Sequence, residues 1–247
     1  MKICLIGDSC IDEIITGTCD RLSPEAPVPI LKVDNVSTKP GMAGNVYDNL
    51  CAFGFEIDYY TNEEEIVKTR AIDSKSGQHM LRIDQDVLVK SFNRKLDYSD
   101  YNAVIISDYN KGFVTYDLVK SIRSKFQGPI FIDTKKTDLA QFEGCFVKIN
   151  SVEFEAATSL PSDHWLIVTM GGSGTRYKGE VYPAPQVSVF DVCGAGDTFL
   201  AALACQYLTT MSVTDSIMFA NKCAAITVQN IGVYSLTQDD IYKVCKS

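Results

Sequence analysis

A short stretch near the C-terminal end of the chain combines two glycines with a carboxylate: residues 191–197 read DVCGAGD. The apolar residues up to Phe190 predict a strand, the glycines a tight turn, and the small apolar residues from Phe199 a helix. Unpaired N–H groups at a helix N-terminus attract anions, and Asp197 would lie beside such an anion, where a carboxylate can accept a proton. Alternatively, Asp197 only stabilises the first helical turn through the helix dipole. Other stretches have to decide between these two interpretations.

The composition is that of one globular domain spanning residues 1–247. Hydrophobic residues make up 46% of the chain, and no run approaches the roughly 18 apolar residues of a membrane span. The 23 basic and 31 acidic residues leave a net charge of −8. This charge disfavours nonspecific binding to nucleic acid, so an anionic substrate would need a local basic cluster.

Nine scattered cysteines form no Cys-x-x-Cys pair, and the only histidines are His79 and His164. This pattern disfavours a zinc site, a disulfide framework and His-based catalysis. The first apolar run is too short, and too soon followed by an acidic residue, for a signal peptide. We therefore expect a cytoplasmic protein that acts on small molecules.

Polar or glycine-rich residues follow each predicted buried strand. The strands are expected at 2–6, 103–106, 130–132, 145–149 and 165–168, with a further candidate at 55–60. From residue 101 onward, strands alternate with helical patterns, which is typical of a doubly wound, mostly parallel sheet. Ligands bind such sheets outside the C-terminal ends of the strands, where these polar residues lie.

Two segments do not follow this alternation of strands and helices, and they predict a small β lid. Residues 12–36 show no helical period, and three prolines within 24–29 exclude a central strand. Residues 66–72 and 78–83 alternate around a polar turn, which is typical of a hairpin. We expect the lid to comprise about 12–38 and 66–84, inserted in the single domain.

Three further polar motifs have both a local and a functional interpretation. Asp12 is either a loop cap or a ligand-binding carboxylate beyond the first strand. Asn45 follows a glycine-rich turn and is either a helix N-cap or a side chain free to bind a hydroxyl. Asn150 and Glu153 have the spacing of a capping box variant.

Together, these stretches resemble the ribokinase-like family of carbohydrate kinases. The family's marks occur in order as Gly7-x4-Asp12, the Gly41 turn with Asn45, Asn150-x-x-Glu153, Thr169-x-Gly171-x-x-Gly174 and residues 191–197. Within the family, residues 21–29, 107–112 and 133–135 are most similar to the kinase domain that phosphorylates D-glycero-D-manno-heptose 7-phosphate at its anomeric position.

The resemblance implies ATP- and Mg²⁺-dependent phosphoryl transfer to a sugar-phosphate hydroxyl. Asp197 would be the general base, and the N–H groups of Gly194, Ala195 and Gly196 would hold the transferred phosphoryl group. The acceptor would be bound by Asp12, Arg21, Gly41, Asn45, Arg82, Asp108 and Lys111. The nucleotide would be bound by Asn150, Lys135, Thr169, Gly171, Gly174 and Asn221. Glu153, with Asn150 acting through water, would organise the metal.

The chain also departs from the family pattern. Met42 replaces a usual glycine, Gly44 a usual alanine and Thr134 a usual proline, so the acceptor pocket floor is expected to be reshaped. After Asn62 the family has a further helix and strand, so we expect a fold one αβ unit shorter. No His-x-Gly-His motif occurs, and an adenylyltransferase domain is therefore not expected.

Alternative functions remain at this stage. A kinase for another sugar or a nucleoside would share the core motifs, and a catalytically silent ligand-binding descendant would explain the shortening. A nicotinamide-dependent oxidoreductase is disfavoured, because no Gly-x-Gly-x-x-Gly follows the first strand. Pairing of lid strands between subunits would give a homodimer.

Overall fold

The computed structural model describes residues 1–246 and contains a large and a small β-sheet. The strands are β1 (Lys2–Gly7), β2 (Ser9–Leu22), β3 (Pro29–Met42), β4 (Glu56–Thr61), β5 (Val67–Asp73), β6 (His79–Gln85), β7 (Ala103–Asp108), β8 (Ile130–Thr134), β9 (Phe146–Asn150), β10 (Leu166–Thr169), β11 (Thr175–Tyr177) and β12 (Glu180–Tyr182). The helices are α1 (Ala43–Ala52), α2 (Tyr116–Lys125), α3 (Ser151–Ala156), α4 (Ala195–Thr210), α5 (Val213–Thr227) and α6 (Gln238–Lys246).

The large sheet has the order β12-β11-β10-β9-β8-β7-β1-β4. Its strands from β10 to β4 run parallel, and β11 and β12 continue it antiparallel. Helices cover both faces of this sheet. Successive side chains of a strand point to opposite faces, so each strand contributes apolar residues to the packing on both. Ile3 and Leu5 pack with α1, α4 and α5 on one face, whereas Cys4 and Ile6 pack with α2 on the other. The predicted doubly wound, mostly parallel sheet is confirmed.

The small sheet has the order β3-β2-β5-β6 and contains most of the two segments expected to form a lid. Strands β5 and β6 form the predicted hairpin. Strand β4 is the edge of the large sheet, and residues 62–66 lead from it directly into the small sheet. No helix or strand intervenes there, so the chain has the shortened connection that the sequence predicts.

The prediction of a strand ending at Phe190 is wrong. Residues 183–194 contain no strand, and the side chains of Val189 and Phe190 are exposed. An apolar run forms a strand only where a neighbouring strand completes its hydrogen bonds, and the large sheet already ends at β12. The run instead forms a loop that borders a cavity next to α4.

Within residues 1–246, no helix has the length and apolarity needed to cross a lipid bilayer. All nine cysteines carry free thiols, and five of them are buried. Strands β11 and β12 are additions that the sequence patterns did not indicate.

Candidate active site

Asp197 lies in the first turn of α4 and is almost completely buried. Its Oδ2 accepts a hydrogen bond from Asn45 Nδ2 at 3.0 Å, and its Oδ1 accepts one from the Tyr109 hydroxyl at 2.9 Å. Burial raises the pKa of Asp197 to about 6, because the charged carboxylate is poorly solvated, and the two donors only partly offset this effect. The carboxylate is therefore mostly ionised at pH 7 and close to the pKa that suits a general base.

The turn before α4 depends on glycine. Gly194 is the N-cap residue with φ of 78°, and a Cβ atom there would lie 2.7 Å from Asn45 Nδ2. Helix α4 begins at Ala195, so its first N–H groups lack intrahelical acceptors. One of them, the Ala195 N–H, instead donates to the Val192 carbonyl at 3.3 Å. The turn and helix start that the sequence predicts are present, and the Ala195 donor, one of the N–H groups expected to bind the phosphoryl group, is engaged within the turn.

A buried ion pair lies directly behind this turn. Lys148 Nζ on β9 donates to Asp133 Oδ2 on β8 at 2.7 Å, and both side chains are almost fully buried. A Cβ atom on Gly196 would lie 2.8 Å from that Nζ. Asp133 Oδ1 is buried without a hydrogen-bond partner among residues 1–246. The pair therefore leaves one carboxylate oxygen available near the first turn of α4.

A cavity of about 260 Å³ opens next to the same turn. It is lined by Thr169, Gly171 and Gly174 from the loop after β10, by the loop 184–192, and by Asn221 and Ala225 from α5. Ala195 and Gly196 close its inner end. Four of the six residues expected to bind a nucleotide thus line one cavity that ends beside Asp197, and these are Thr169, Gly171, Gly174 and Asn221. The other two, Asn150 and Lys135, do not line it.

The amide of Asn221 is not free to bind a ligand. Its Oδ1 accepts from Thr175 Oγ1 at 2.7 Å, and its Nδ2 donates to the Tyr182 carbonyl at 2.9 Å. Asn221 therefore holds β11 and the end of β12 against α5. It shapes the cavity wall, so a nucleotide in this cavity would lie near Asn221 without using its amide groups as ligands.

Asn150 and Glu153 form a complete capping box at the start of α3. Asn150 Oδ1 accepts from the Glu153 N–H at 2.9 Å, and Glu153 Oε2 accepts from the Asn150 N–H at 2.8 Å. The other oxygen of Glu153 is ion-paired with Lys135. Burial lowers the pKa of Lys135, but the nearby Asp133 and Glu153 carboxylates outweigh it and raise that pKa. The local interpretation of this motif is therefore confirmed.

No preformed metal centre is visible in the described part of the chain. Residues 1–246 contain no group of three or more His, Cys, Asp or Glu side chains arranged to hold an ion. The carboxylates of Glu153 and Asp133 are both bound by lysine ammonium groups. A cation here would bind Asp133 Oδ1, which has no hydrogen-bond partner among residues 1–246, or displace Lys135 from Glu153.

On the opposite side of Asp197, the small sheet supplies Asp12. This carboxylate is buried and ion-paired with Arg70 on β5, and it lies against Gly41, where a Cβ atom would collide with it. The amide of Asn45 is not free, contrary to expectation, since it donates to Asp197 and its Oδ1 accepts from Asn49 and Ser235. Asn45 is also not an N-cap, because α1 starts at Ala43.

The residue before α1 has an unusual backbone. Met42 adopts φ of 55° and ψ of −127°, a conformation that strongly favours glycine. At this position, the kinases that the chain resembles usually have a glycine. The side chain of Met42 is buried next to Cys10 and Ile66 in the core, so its packing offsets part of the backbone strain.

Three of the residues expected to bind the acceptor, Arg21, Arg82 and Lys111, are cations that could meet its phosphate, and each is either ion-paired or exposed. Arg82 pairs with Asp84 at 2.7 Å, Lys111 pairs with Asp86 at 2.5 Å, and Arg21 is exposed near the outer end of β2. Asp108 is fully buried and binds Lys136 and Thr134, so it supports the loop instead of meeting a ligand. A sequence pattern does not show which of these side chains will be held by a partner in the folded chain.

Sequence reasoning missed several residues of the site. Tyr109 and Asp133 occur in stretches quoted above but had no role, and Asp8, which accepts backbone N–H groups from the loop after β7, was overlooked. Two lysines were also missed: Lys148, a lone charge within an apolar strand, and Lys68, whose Nζ lies 5.4 Å from the centroid of the Tyr109 ring. A single charge inside a buried strand is the signal that would have found Lys148.

Several known proteins are similar to this chain. The profile of the pfkB family carbohydrate kinases matches residues 146–240, which include Asn150, Thr169, Asp197 and Asn221. The chain is 28% identical to the bifunctional protein HldE of a Nitratiruptor species, over 97% of this chain and 64% of that protein. It is 29% identical to the bifunctional protein HldE of Helicobacter pylori, over 94% of this chain and 64% of that protein. The chain thus spans less than two thirds of these relatives.

The first of these alignments extends over 298 positions, whereas the chain has 247 residues, so at least 51 positions of that relative have no counterpart here. Two solved structures have the same fold. The first is ribokinase from Thermotoga maritima, with a TM-score of 0.72 and 17% sequence identity over 99% of both chains. The second is Arabidopsis thaliana ribokinase complexed with ribose and ATP, with a TM-score of 0.70 and 16% identity over 99% of this chain and 98% of that chain.

Proposed function

We propose that this chain, whose residues 146–240 match the profile of the pfkB family of carbohydrate kinases, transfers the γ-phosphoryl group of ATP to a hydroxyl of a sugar phosphate. The proposed acceptor is D-glycero-D-manno-heptose 7-phosphate, converted to the 1,7-bisphosphate. The similarity of residues 21–29, 107–112 and 133–135 to heptose 7-phosphate kinases supports this choice, as does the similarity of nearly the whole chain to HldE proteins.

One observation carries the proposal: the cavity lined by the loop after β10 ends at Ala195 and Gly196, next to the buried Asp197. A nucleotide lying in this cavity would direct its terminal phosphate toward the N-terminus of α4. The free N–H groups and the helix dipole would stabilise the phosphoryl oxygens there. The hydroxyl to be phosphorylated would approach from the opposite side, between Asp197 and the small sheet, which we propose acts as a lid.

In this arrangement Asp197 accepts the proton of the attacking hydroxyl. The proton moves late, because a carboxylate with a pKa of about 6 is far too weak a base to ionise a sugar hydroxyl before bond formation. Asn45 and Tyr109 hold the two carboxylate oxygens in place. Burial and the Asp197 carboxylate raise the pKa of Tyr109, so its hydroxyl remains a donor. Most of the rate enhancement then comes from alignment and charge neutralisation.

The oxygen donors at the mouth of the cavity fit Mg²⁺, which prefers hard oxygen ligands and is commonly held by one or two carboxylates together with substrate phosphates. Asp133 supplies an unpartnered buried oxygen, and Glu153 supplies a carboxylate now paired with Lys135. These two residues would hold the metal, the second through water. When bound, Mg²⁺ would neutralise charge on the phosphate oxygens.

An acceptor panel tests the proposal. Purified protein with ATP and Mg²⁺ would be offered heptose 7-phosphate, other sugar phosphates, free sugars and nucleosides, with ADP release as the measurement. We expect turnover on heptose 7-phosphate. Turnover only on an unphosphorylated sugar or a nucleoside would replace the acceptor assignment, and absence of turnover on every acceptor would favour the silent, ligand-binding alternative.

A further inference from the structure

The face of the small sheet that carries Asp12 is rich in positive charge. Asp12, Lys68 and Asp84 are register partners across β2, β5 and β6, and Arg70 and Arg82 are partners two residues further along. Register partners share one face of a sheet, as do residues two apart on one strand. Across β2, β5 and β6 this face therefore holds three cations against two carboxylates, in a chain whose net charge is −8.

Lys68 differs from the other cations of this face. Arg70 is ion-paired with Asp12 and Arg82 with Asp84, whereas the ammonium of Lys68 has no carboxylate within ion-pair distance among residues 1–246. Lys68 is nonetheless only 9% exposed, and burial lowers its pKa. A buried ammonium without a counter-ion is costly, so this position favours binding of an anion.

The position of Lys68 relative to the reacting groups identifies that anion. Its Nζ lies 5.4 Å from the centroid of the Tyr109 ring, and the hydroxyl of that ring donates to Asp197. Lys135 lies at the same distance from the ring but is ion-paired with Glu153 beside the nucleotide cavity. Lys68 and the carboxylate proposed to receive the proton thus both lie against the side chain of Tyr109.

We propose that Lys68 binds the phosphate that the acceptor already carries, while the hydroxyl under attack faces Asp197. Lysine is a point-charge phosphate ligand and needs no fixed bidentate geometry. Arg70 and Arg82 lie on the same face and strengthen the positive potential around this phosphate. The inference deepens the proposed function, on which it rests, by naming the residue that distinguishes a phosphorylated from an unphosphorylated acceptor.

The variant Lys68→Met tests this role, with Lys68→Arg as the conservative variant and Lys32→Met as the matched control, because Lys32 is a more exposed lysine of the same sheet. Calorimetry would measure binding of heptose 7-phosphate and, separately, of inorganic phosphate to the ADP-saturated protein. We expect Lys68→Met to weaken heptose 7-phosphate binding by about 10- to 100-fold, as loss of a charged hydrogen bond implies. The arginine variant should retain part of the affinity, and the control should retain all of it.

Kinetics provide the second readout. Lys68→Met should raise KM for the phosphorylated acceptor and leave KM for ATP and acceptor-free ATP hydrolysis unchanged. An equal loss on phosphorylated and unphosphorylated acceptors, or slower acceptor-free hydrolysis, would overturn the proposal in favour of a contact with the transferred group. Unchanged binding of heptose 7-phosphate to Lys68→Met, or no binding to the parent chain, would also overturn it. If the parent chain binds this ligand without turning it over, the proposed function fails while the binding experiment still decides the role of Lys68.

Discussion

The two sides of Asp197 differ in the kinds of residue that line them. On the side of α5, the cavity is lined by glycines, apolar side chains and backbone, and its polar residues already bond within the protein, as Asn221 does. On the side of the small sheet, the residues are charged and are joined in ion pairs, such as Arg70 with Asp12 and Arg82 with Asp84.

This difference indicates two modes of recognition. The α5 side would select its ligand by shape and by N–H groups at a helix end, which need little rearrangement. The small-sheet side would select by charge, through the Lys68 ammonium, which has no carboxylate within ion-pair distance among residues 1–246. Specificity for the acceptor is therefore expected to reside in the small sheet, and substitutions on either side of Asp197 test this division.

The largest expected effect is at Asp197, which serves both sides. Asp197→Asn removes the proton acceptor, and turnover should fall by about 10² to 10⁴-fold. Nucleotide affinity should change little, because the cavity does not depend on this carboxylate. Steady-state kinetics and calorimetric nucleotide binding would measure the two effects. Near-normal turnover would exclude Asp197 as the base.

Stability provides the control for that variant. The folded-state pKa of Asp197 lies above its unfolded value, so the folding stability associated with this group is present at low pH and is lost as the pH rises through about 6. Asp197→Asn should therefore unfold with a free energy about 1–3 kcal/mol larger than the parent at pH 8, with little gain at pH 4. Urea unfolding at both pH values would measure this.

The next largest effect is expected at the ion pair between Lys148 and Asp133, which lies behind the turn before α4. Lys148→Met leaves Asp133 buried without its partner and should lower the free energy of unfolding by about 3–5 kcal/mol. The double variant with Asp133→Leu should recover much of the loss, because no unpaired charge then remains. Denaturant unfolding of the parent and the variants provides the measurement. If the double variant were no more stable than Lys148→Met, the lost charge pairing would not be the cause.

A smaller effect, confined to the α5 side, is expected at Gly174. Its φ of 96° and its contact with the Tyr182 carbonyl leave no room for a Cβ atom. Gly174→Ala should cost about 1–3 kcal/mol of stability and raise KM for ATP, with KM for the acceptor unchanged. Gly172→Ala is the matched control, because a Cβ atom there meets nothing within 4 Å. Equal effects of the two substitutions on KM for ATP would contradict the role of the loop geometry.

The smallest effect is a shift in a pH profile. Activity should fall as the pH drops through about 6, because Asp197 becomes protonated. The Tyr109 hydroxyl stabilises the ionised carboxylate, so Tyr109→Phe should raise the pKa of Asp197 and move this acid limb upward by about one pH unit. The dependence of kcat/KM on pH measures the limb. A limb that stays in place would show that the hydrogen bond does not tune the base.

The sequence alone determined the sheet and its ligand-binding edge. Continuous apolar runs such as 103–106 predict buried parallel strands, and the polar residues that follow them predict where ligands bind, because both signals are local and depend on residue type. The same holds for Gly194 and Gly174, which mark turns, and for the capping box of Asn150 and Glu153.

Only the tertiary structure decided which charged groups remain available. Arg82, Lys111 and Asp108 are predicted ligand residues, yet each is held by a charged partner, and no sequence pattern shows which residue that partner is. Lys68 is inconspicuous in the sequence, whereas strand register and burial place it against Tyr109, and no carboxylate of residues 1–246 lies within ion-pair distance of it. Electrostatic availability depends on distance and solvent exposure, and these follow from the packing of segments far apart in the chain.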